Sequence, residues 1–183
     1  MKVLLINGSP RQNGNTAAAL DIVEKELTEK GVETSIFQIG AEPVRGCISC
    51  GSCIKTNRCV FADDGCNELI ERISESDGII VGTPVYFAGP SGALCSLLDR
   101  VFYATCTYSQ MFKGKAAAAF ATCEWVGGSA AVDRLHRYFV PCQMTIVNCS
   151  DFPVFQGSSV KDGNPRAIKL LKELAGNMAA QLR

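Results

Sequence analysis

The sequence predicts a doubly wound α/β fold, a five-stranded parallel sheet with helices on both faces. Three observations predict it. Short apolar runs alternate with longer amphipathic stretches along the chain, the pattern of strands joined by helical crossovers. The first apolar run breaks at a Gly-Ser-Pro turn that leads directly into a helical stretch. The 183 residues, 47% of them hydrophobic, suffice for one compact domain over residues 1–183, and no repeat period suggests a second. Crossovers between parallel strands are right-handed, which leaves few topologies.

Taken in order, "KVLLING" is a continuously apolar run bounded by Gly8, as a strand buried on both faces should be. "NTAAALDIVEKELTEKG" places Ala18, Ile22 and Leu27 on a helical face and stops at Gly31. "VETSIFQIG" alternates like a strand, "NELIERISES" restores helical spacing, and "GIIVGTP" is the third strand. "SGALCSLLDRVFYAT" reads as a helix, "KAAAAFATC" as a strand that its alanines make ambiguous, and "SAAVDRLHRYFV" as a helix. "QMTIVNCS" is the expected fifth strand, and "NPRAIKLLKELAGNMAAQL" closes the chain as a helix with Pro165 in its first turn. Two stretches lie outside this pattern, a Cys-rich loop at about 40–65 and "DFPVFQGSSVKDG". Long irregular segments in a compact domain are more often functional than accidental.

Eighteen Lys plus Arg balance eighteen Asp plus Glu, so there is no electrostatic footprint for nucleic acid and none of the acidity of a carrier steered to basic partners. Small-molecule chemistry is the better expectation. The opening apolar run, Val3 to Ile6, is too short for a signal-peptide core or a membrane span. A cytoplasmic protein with no membrane association is therefore expected. In that setting ten cysteines point to thiols, metal ligation or redox chemistry rather than to disulfides.

After the first strand, "GSPRQNGNT" forms a turn-rich loop before the helix. Free N–H groups and the positive dipole end of a helix suit a phosphate, and Ser9, Asn15 and Thr16 can add side-chain donors. The same residues are routine helix caps, so position matters: ligands of open parallel sheets sit beyond the carboxyl ends of the strands. The loop lacks the Gly-Lys-Ser/Thr ending of a P-loop and the G-x-G-x-x-G of a dinucleotide site. A second carboxyl-edge stretch, "GTPVYFAGPSGALCSLLDR", joins Pro84 and Gly89 to Tyr86 and Phe87. Exposed backbone donors beside an aromatic wall suit a flat ring with polar edges, although two core aromatics beside a turn would read the same.

These motifs carry a resemblance. "INGSPRQNGNT" followed by "DGIIVGTPVYFAGPSGALCSLLDR" resembles the NADPH-dependent FMN reductase family of flavodoxin-like proteins, and the Cys-rich loop between them resembles its iron-sulfur flavoprotein branch. The match spans about residues 1 to 130. The resemblance implies that Ser9, Arg11, Asn15 and Thr16 surround an FMN phosphate, and that Pro84, Val85, Tyr86 and Phe87 contact the isoalloxazine. "TCEWVGGS" resembles the family's Gly-rich flavin loop and adds Gly127 and Gly128, while Trp125 reads as a flavin-loop, core or interface residue. Homodimers or homotetramers in which a neighbour helps close the flavin site are implied as well. Cys95 departs from the pattern, standing where a basic residue is expected.

Cys47, Cys50, Cys53 and Cys59 are separated by two, two and five residues. Three close thiolates can turn round a cubane corner by corner while the fourth returns from a short loop. The spacing differs from the bacterial ferredoxin run, whose last gap is three and whose last Cys precedes Pro; here Val60 follows. Three readings stay open: a [4Fe-4S] cluster, unligated thiols, and structural zinc. Cys66, Cys95, Cys106, Cys123, Cys142 and Cys149 are dispersed and read as small buried hydrophobes, with Cys123 placed to approach the flavin. His136 reads as a solvent-facing or interface residue, and Asp63 and Asp64 as the end of the Cys loop, biasing the next helix start.

The expected chemistry belongs to the flavin. FMN takes a hydride from NAD(P)H, or electrons from a redox protein such as ferredoxin, and passes them to a small-molecule acceptor; a cluster would add a one-electron exit. No catalytic acid, base or nucleophile is required. The rival is a non-enzymatic electron-transfer or redox-sensing module with the same centres. A receiver domain shares the doubly wound pattern but is set aside, because Asn7 and Gly8 end the first strand without an acidic pair for Mg²⁺.

Overall fold

The first strand, β1 (Lys2–Asn7), pairs in parallel with β2 (Glu33–Gln38) on one side and β3 (Gly78–Tyr86) on the other. The computed structural model describes residues 1–106 and 108–183. Helix α1 (Asn15–Glu29) joins β1 to β2. The chain then makes its long excursion, relieved only by the short α2 (Cys53–Thr56), and enters α3 (Cys66–Ser74) before β3. At the end of β3 a two-residue strand, β4 (Gly89–Pro90), folds back antiparallel on Val85 and Tyr86, a small hairpin the sequence reading misses. Helix α4 (Gly92–Cys106) leads to β5 (Ala116–Cys123), and α5 (Gly128–Phe139) follows.

The sheet runs β2-β1-β3-β5-β6, the doubly wound order with a switch point between β1 and β3. It is a flavodoxin-like arrangement. Leu4, Ile6, Ile79 and Val81 turn to a layer built from α3, α4 and α5, while Val3, Leu5 and Ile80 turn to α1 and α6 (Pro165–Gln181). Every residue of β5 is buried, including four successive alanines. Alanine favours helix in isolation, but between two helical layers its small side chain fits a strand packed on both faces.

The last sheet position corrects an expectation. "QMTIVNCS" does not run through as one strand. Pairing is confined to β6 (Thr145–Ile146), stops, and resumes at β7 (Val154–Gln156), which lies beside the carboxyl end of β5 within the stretch expected to stand outside the sheet. Between them the backbone turns to α6 instead: Asn177 Nδ2 donates to the Asn148 carbonyl at 2.7 Å, and the Ser150 N–H donates to Glu173 Oε1 at 2.7 Å. Side chains of the closing helix thus outcompete the ladder. A second correction concerns the dispersed cysteines. Cys106 and Cys142 are paired as a disulfide, Cα atoms 5.0 Å apart, tying the end of α4 to the segment after α5. Among the described residues no helix is long and apolar enough to cross a membrane.

Candidate functional site

The strands β1, β3 and β5 deliver three loops to one carboxyl edge. In register, Asn7 stands beside Gly82 and Pro84 beside Thr122, so each loop leaves the sheet next to the others. Ser9, Arg11, Asn15 and Thr16 from the first loop, Pro84, Val85 and Tyr86 from the second, and Thr122, Cys123 and Glu124 from the third line one cleft.

The first loop is held from below. Asn7 Oδ1 accepts the Ser9 N–H at 3.1 Å while its amide donates to Gln38 Oε1 at 2.7 Å. Ser9 Oγ accepts the Arg11 N–H at 3.1 Å, which leaves the hydroxyl its own proton to donate. Among the described residues no side chain caps α1, whose cap residue is Gly14, so the first N–H groups of the helix remain open to an anion. Thr16 Oγ1 meets Thr122 Oγ1 at 2.8 Å in a buried contact. Asn15 is partly diverted: its amide donates to the Gly157 carbonyl at 2.8 Å. Gln38 and Thr122 carry no motif in the sequence, although Thr122, next to last in a buried strand, lies at the carboxyl edge where open parallel sheets hold ligands.

Tyr86 and Phe87 are not core aromatics. Tyr86 is 50% exposed and Phe87 99% exposed at the tip of the β3–β4 hairpin, with Phe87 at φ 63°. Nor is Trp125 in the core, at 81% exposure. Gly127 has φ 89°, and a Cβ there would stand 2.7 Å from the Ala88 backbone, so the second and third loops touch where only glycine fits. Gly128 packs against Val154 and Cys123; both glycines line the neighbouring cleft with Trp125 and Arg166 rather than the first. Cys123 is buried and borders both clefts; burial, then the charge of Glu124, pushes its thiol pKa up. Cys95 is half-buried on α4, its thiol also raised by burial.

The tetracysteine loop forms a second site. Cys47, Cys50, Cys53 and Cys59 all line one hollow, with Phe61, Arg100 and Tyr103 beside them. Left-handed residues at Ser49 (φ 55°), Gly51 (φ 73°) and Asn57 (φ 53°) turn the chain round it. Two of the sulfurs accept hydrogen bonds, Cys47 Sγ from the Ser49 N–H at 3.4 Å and Cys59 Sγ from Arg100 Nε at 3.3 Å, while the Cys50 thiol donates to Ser52 Oγ at 3.5 Å. Ser52 lowers the Cys50 pKa, favouring the thiolate. Burial first, then the charges of Cys50, Cys47 and Cys59, raises that of Cys53, against a backbone hydrogen bond that lowers it. Among the described residues no three His, Cys, Asp or Glu side chains converge closely enough for a single metal ion.

Cys59 is the most firmly placed of the four. The Asn67 side chain on α3 accepts its N–H at 2.8 Å and donates to its carbonyl at 3.0 Å. Next to it Cys66 is fully buried, and burial pushes its pKa to about 12, with Arg100 opposing and Cys59 adding to the shift. Asp64 does more than end the loop: it is the carboxylate partner of buried Arg100. Burial would raise its pKa, but the Arg100 hydrogen bonds and charge hold it below the ordinary value. Arg100 escaped the sequence reading, yet it falls at helical spacing from Leu97 and Ala104 on an apolar face, a visible anomaly.

A doubly wound sheet whose first loop leaves helix N–H groups open, a cleft beside an aromatic hairpin and a loop of four thiols are features of a flavodoxin-type redox protein. The family model described as NADPH-dependent FMN reductase matches residues 1–159, and the chain belongs to that family, as an FMN-dependent oxidoreductase. An iron-sulfur flavoprotein of Methanocaldococcus jannaschii is 32% identical over 151 residues, covering 82% of this chain and 78% of its own. A second from that organism is 32% identical over 178 residues, covering 92% of this chain and 87% of its own. Among solved structures, the flavoenzyme NAD(P)H:(acceptor) oxidoreductase of Paracoccus denitrificans shares the fold with a TM-score of 0.73 at 21% identity, covering 99% of this chain and 96% of that one.

Proposed function

We propose that the protein holds FMN in the cleft between its three carboxyl-edge loops, oxidises NAD(P)H there, and delivers electrons to a small-molecule acceptor or a redox protein such as ferredoxin. The convergence of Ser9, Thr16, Pro84, Tyr86 and Thr122 on that one cleft carries the reading. The Ser9 hydroxyl and the open N–H groups of α1 bind the phosphate, and exposed Arg11 offsets its charge. Asn15 and Thr16 brace the loop through Gly157 and Thr122. Pro84, Val85, Tyr86 and Phe87 flank the ring, and Gly127 and Gly128 let the third loop close beside the hairpin. When bound, FMN supplies hydride acceptance and one-electron release; the chain positions it and shields one face.

The four cysteines fit a [4Fe-4S] cluster better than zinc. A cubane takes one thiolate at each of four corners, whereas tetrahedral zinc draws its sulfurs to about 2.3 Å from one point. Thiols set round one hollow, with donors at Cys47 and Cys59, suit the former. The iron-sulfur flavoproteins among the relatives support this. We further read residues 1–183 as one FMN-binding unit that assembles as a homodimer or homotetramer over the exposed Trp125. A cytoplasmic setting would keep the exposed Cys47 and Cys50 reduced for ligation.

Anaerobic rapid mixing with NADPH tests the enzyme reading. Bleaching of the flavin, then reoxidation by a quinone or free flavin over many turnovers, is the expected result. Flavin that reduced ferredoxin bleaches but neither NADPH nor NADH does would contradict it and leave an electron carrier.

A further inference from the structure

We propose that Arg100 positions the tetracysteine loop and sets the reduction potential of the cluster it binds, through a hydrogen bond to the Cys59 sulfur. This role presupposes the cluster reading above. Arg100 lies on the buried face of α4 and is 2% exposed. A guanidinium that deep is costly unless its donors are paired. They are, and every partner belongs to the loop or its exit. Nη2 donates to Asp64 Oδ1 at 2.8 Å and to the Phe61 carbonyl at 3.4 Å; Nη1 donates to Asp64 Oδ2 and to the Arg45 carbonyl at 3.1 Å. Nε donates to Cys59 Sγ at 3.3 Å. One side chain therefore clamps residues 45, 61 and 64, which bracket all four cysteines, and also touches a sulfur.

An ion pair placed here for stability alone is a poor explanation. Buried pairs are often matched or bettered by apolar residues of similar volume, and Leu97, Leu98 and Val101 show what α4 otherwise uses on this face. Stability alone would not account for Nε facing a sulfur. Asp64 neutralises much of the guanidinium charge at a distance, so the directional bond to Cys59 is the main lever. A donor to a ligand sulfur favours the more negative, reduced state of a cluster and so raises its potential. Lysine can keep the charge opposite Asp64 but cannot reproduce the fork together with the Nε contact.

The test uses the full chain, anaerobically reconstituted with iron and sulfide, as wild type, as Arg100→Lys, and as the double variant Asp64→Asn with Arg100→Gln, which leaves no unpaired buried charge. Iron and sulfide per chain, and the midpoint potentials of cluster and flavin by EPR-monitored and optical titration, are the readouts. We expect both variants to retain FMN at an unchanged flavin potential while the cluster midpoint moves to more negative values. Metal-free variants should also be cleaved several-fold faster by protease within residues 45–64. Full cluster content at an unchanged midpoint in both variants overturns the proposal. So does loss of the cluster from both with FMN still bound, which would make Arg100 an anchor only. Wild type that takes up neither iron nor sulfide removes the cluster reading itself, and this role with it.

Discussion

The hydroxyls of Thr16 and Thr122 lie 2.8 Å apart in a buried contact that ties the first turn of α1 to the carboxyl end of β5. It holds the first loop against the floor of the cleft proposed for FMN. Thr122→Val keeps the shape and removes the bond, leaving Thr16 Oγ1 without its partner. The expected cost is about 1–3 kcal/mol of stability, with weaker FMN binding. Urea unfolding of the FMN-free protein and fluorescence titration with FMN measure the two. Unchanged values for both would show that the contact braces nothing.

Gly127→Ala asks a different question of the third loop. The residue has φ 89°, and the new Cβ would meet backbone atoms of Ala88, which cannot rotate away as a side chain could. The left-handed conformation alone costs about 1–2 kcal/mol. FMN affinity should fall by about tenfold, the equivalent of 1.4 kcal/mol. Retained affinity would mean that the ring does not depend on this junction.

Phe87 separates site from core. Because it is 99% exposed, Phe87→Ala should change the unfolding free energy by less than about 0.5 kcal/mol. Turnover with a quinone acceptor should fall nonetheless if the hairpin tip flanks the ring as proposed. A stability loss of about 3 kcal/mol or more would instead place Phe87 in a core completed by another copy of the chain.

His136 gives the chain a pH dependence on the acid side. Burial lowers its pKa below 6.5, opposed by Asp133, and among the described residues its Nε2 has no partner. The fold therefore favours the neutral imidazole. Its contribution is complete above the unfolded value near 6.5 and is lost as pH falls from there through the lower folded value. Urea midpoints between pH 7.5 and 5 should drop, and His136→Gln should flatten that part of the profile. An identical profile in the variant would remove His136 as the cause.

Much of this was legible in sequence, and the exceptions have physical causes. The strand-loop-helix rhythm placed β1, β3 and β5, because strands buried on both faces leave unbroken apolar runs. The fifth strand differs from its sequence signal because "QMTIVNCS" carries the same apolar pattern, while its competitors Asn177 and Glu173 lie on the closing helix. Ser9 and Thr16 could be found from their place after a strand. Their braces, Asn7, Gln38 and Thr122, are ordinary polar residues until the fold brings them together. The spacing of the thiols could be read directly. Arg100 and Asp64, 36 residues apart, show their partnership only in three dimensions.

Cys59 is the proposed ligand that both Asn67 and Arg100 hold in place. Cys59→Ser should leave FMN bound and remove most of the iron, measured by metal analysis after anaerobic reconstitution. Iron content equal to wild type would exclude Cys59 as a ligand.

The most direct measurement is the content of FMN, iron, acid-labile sulfide and zinc in protein purified without air, taken with its absorption spectrum. The account predicts about one FMN with about four iron and four sulfide per chain, and negligible zinc. FMN without iron or sulfide would contradict the cluster and leave a flavin reductase with free thiols. Failure to bind FMN even after reconstitution would contradict the proposed cleft.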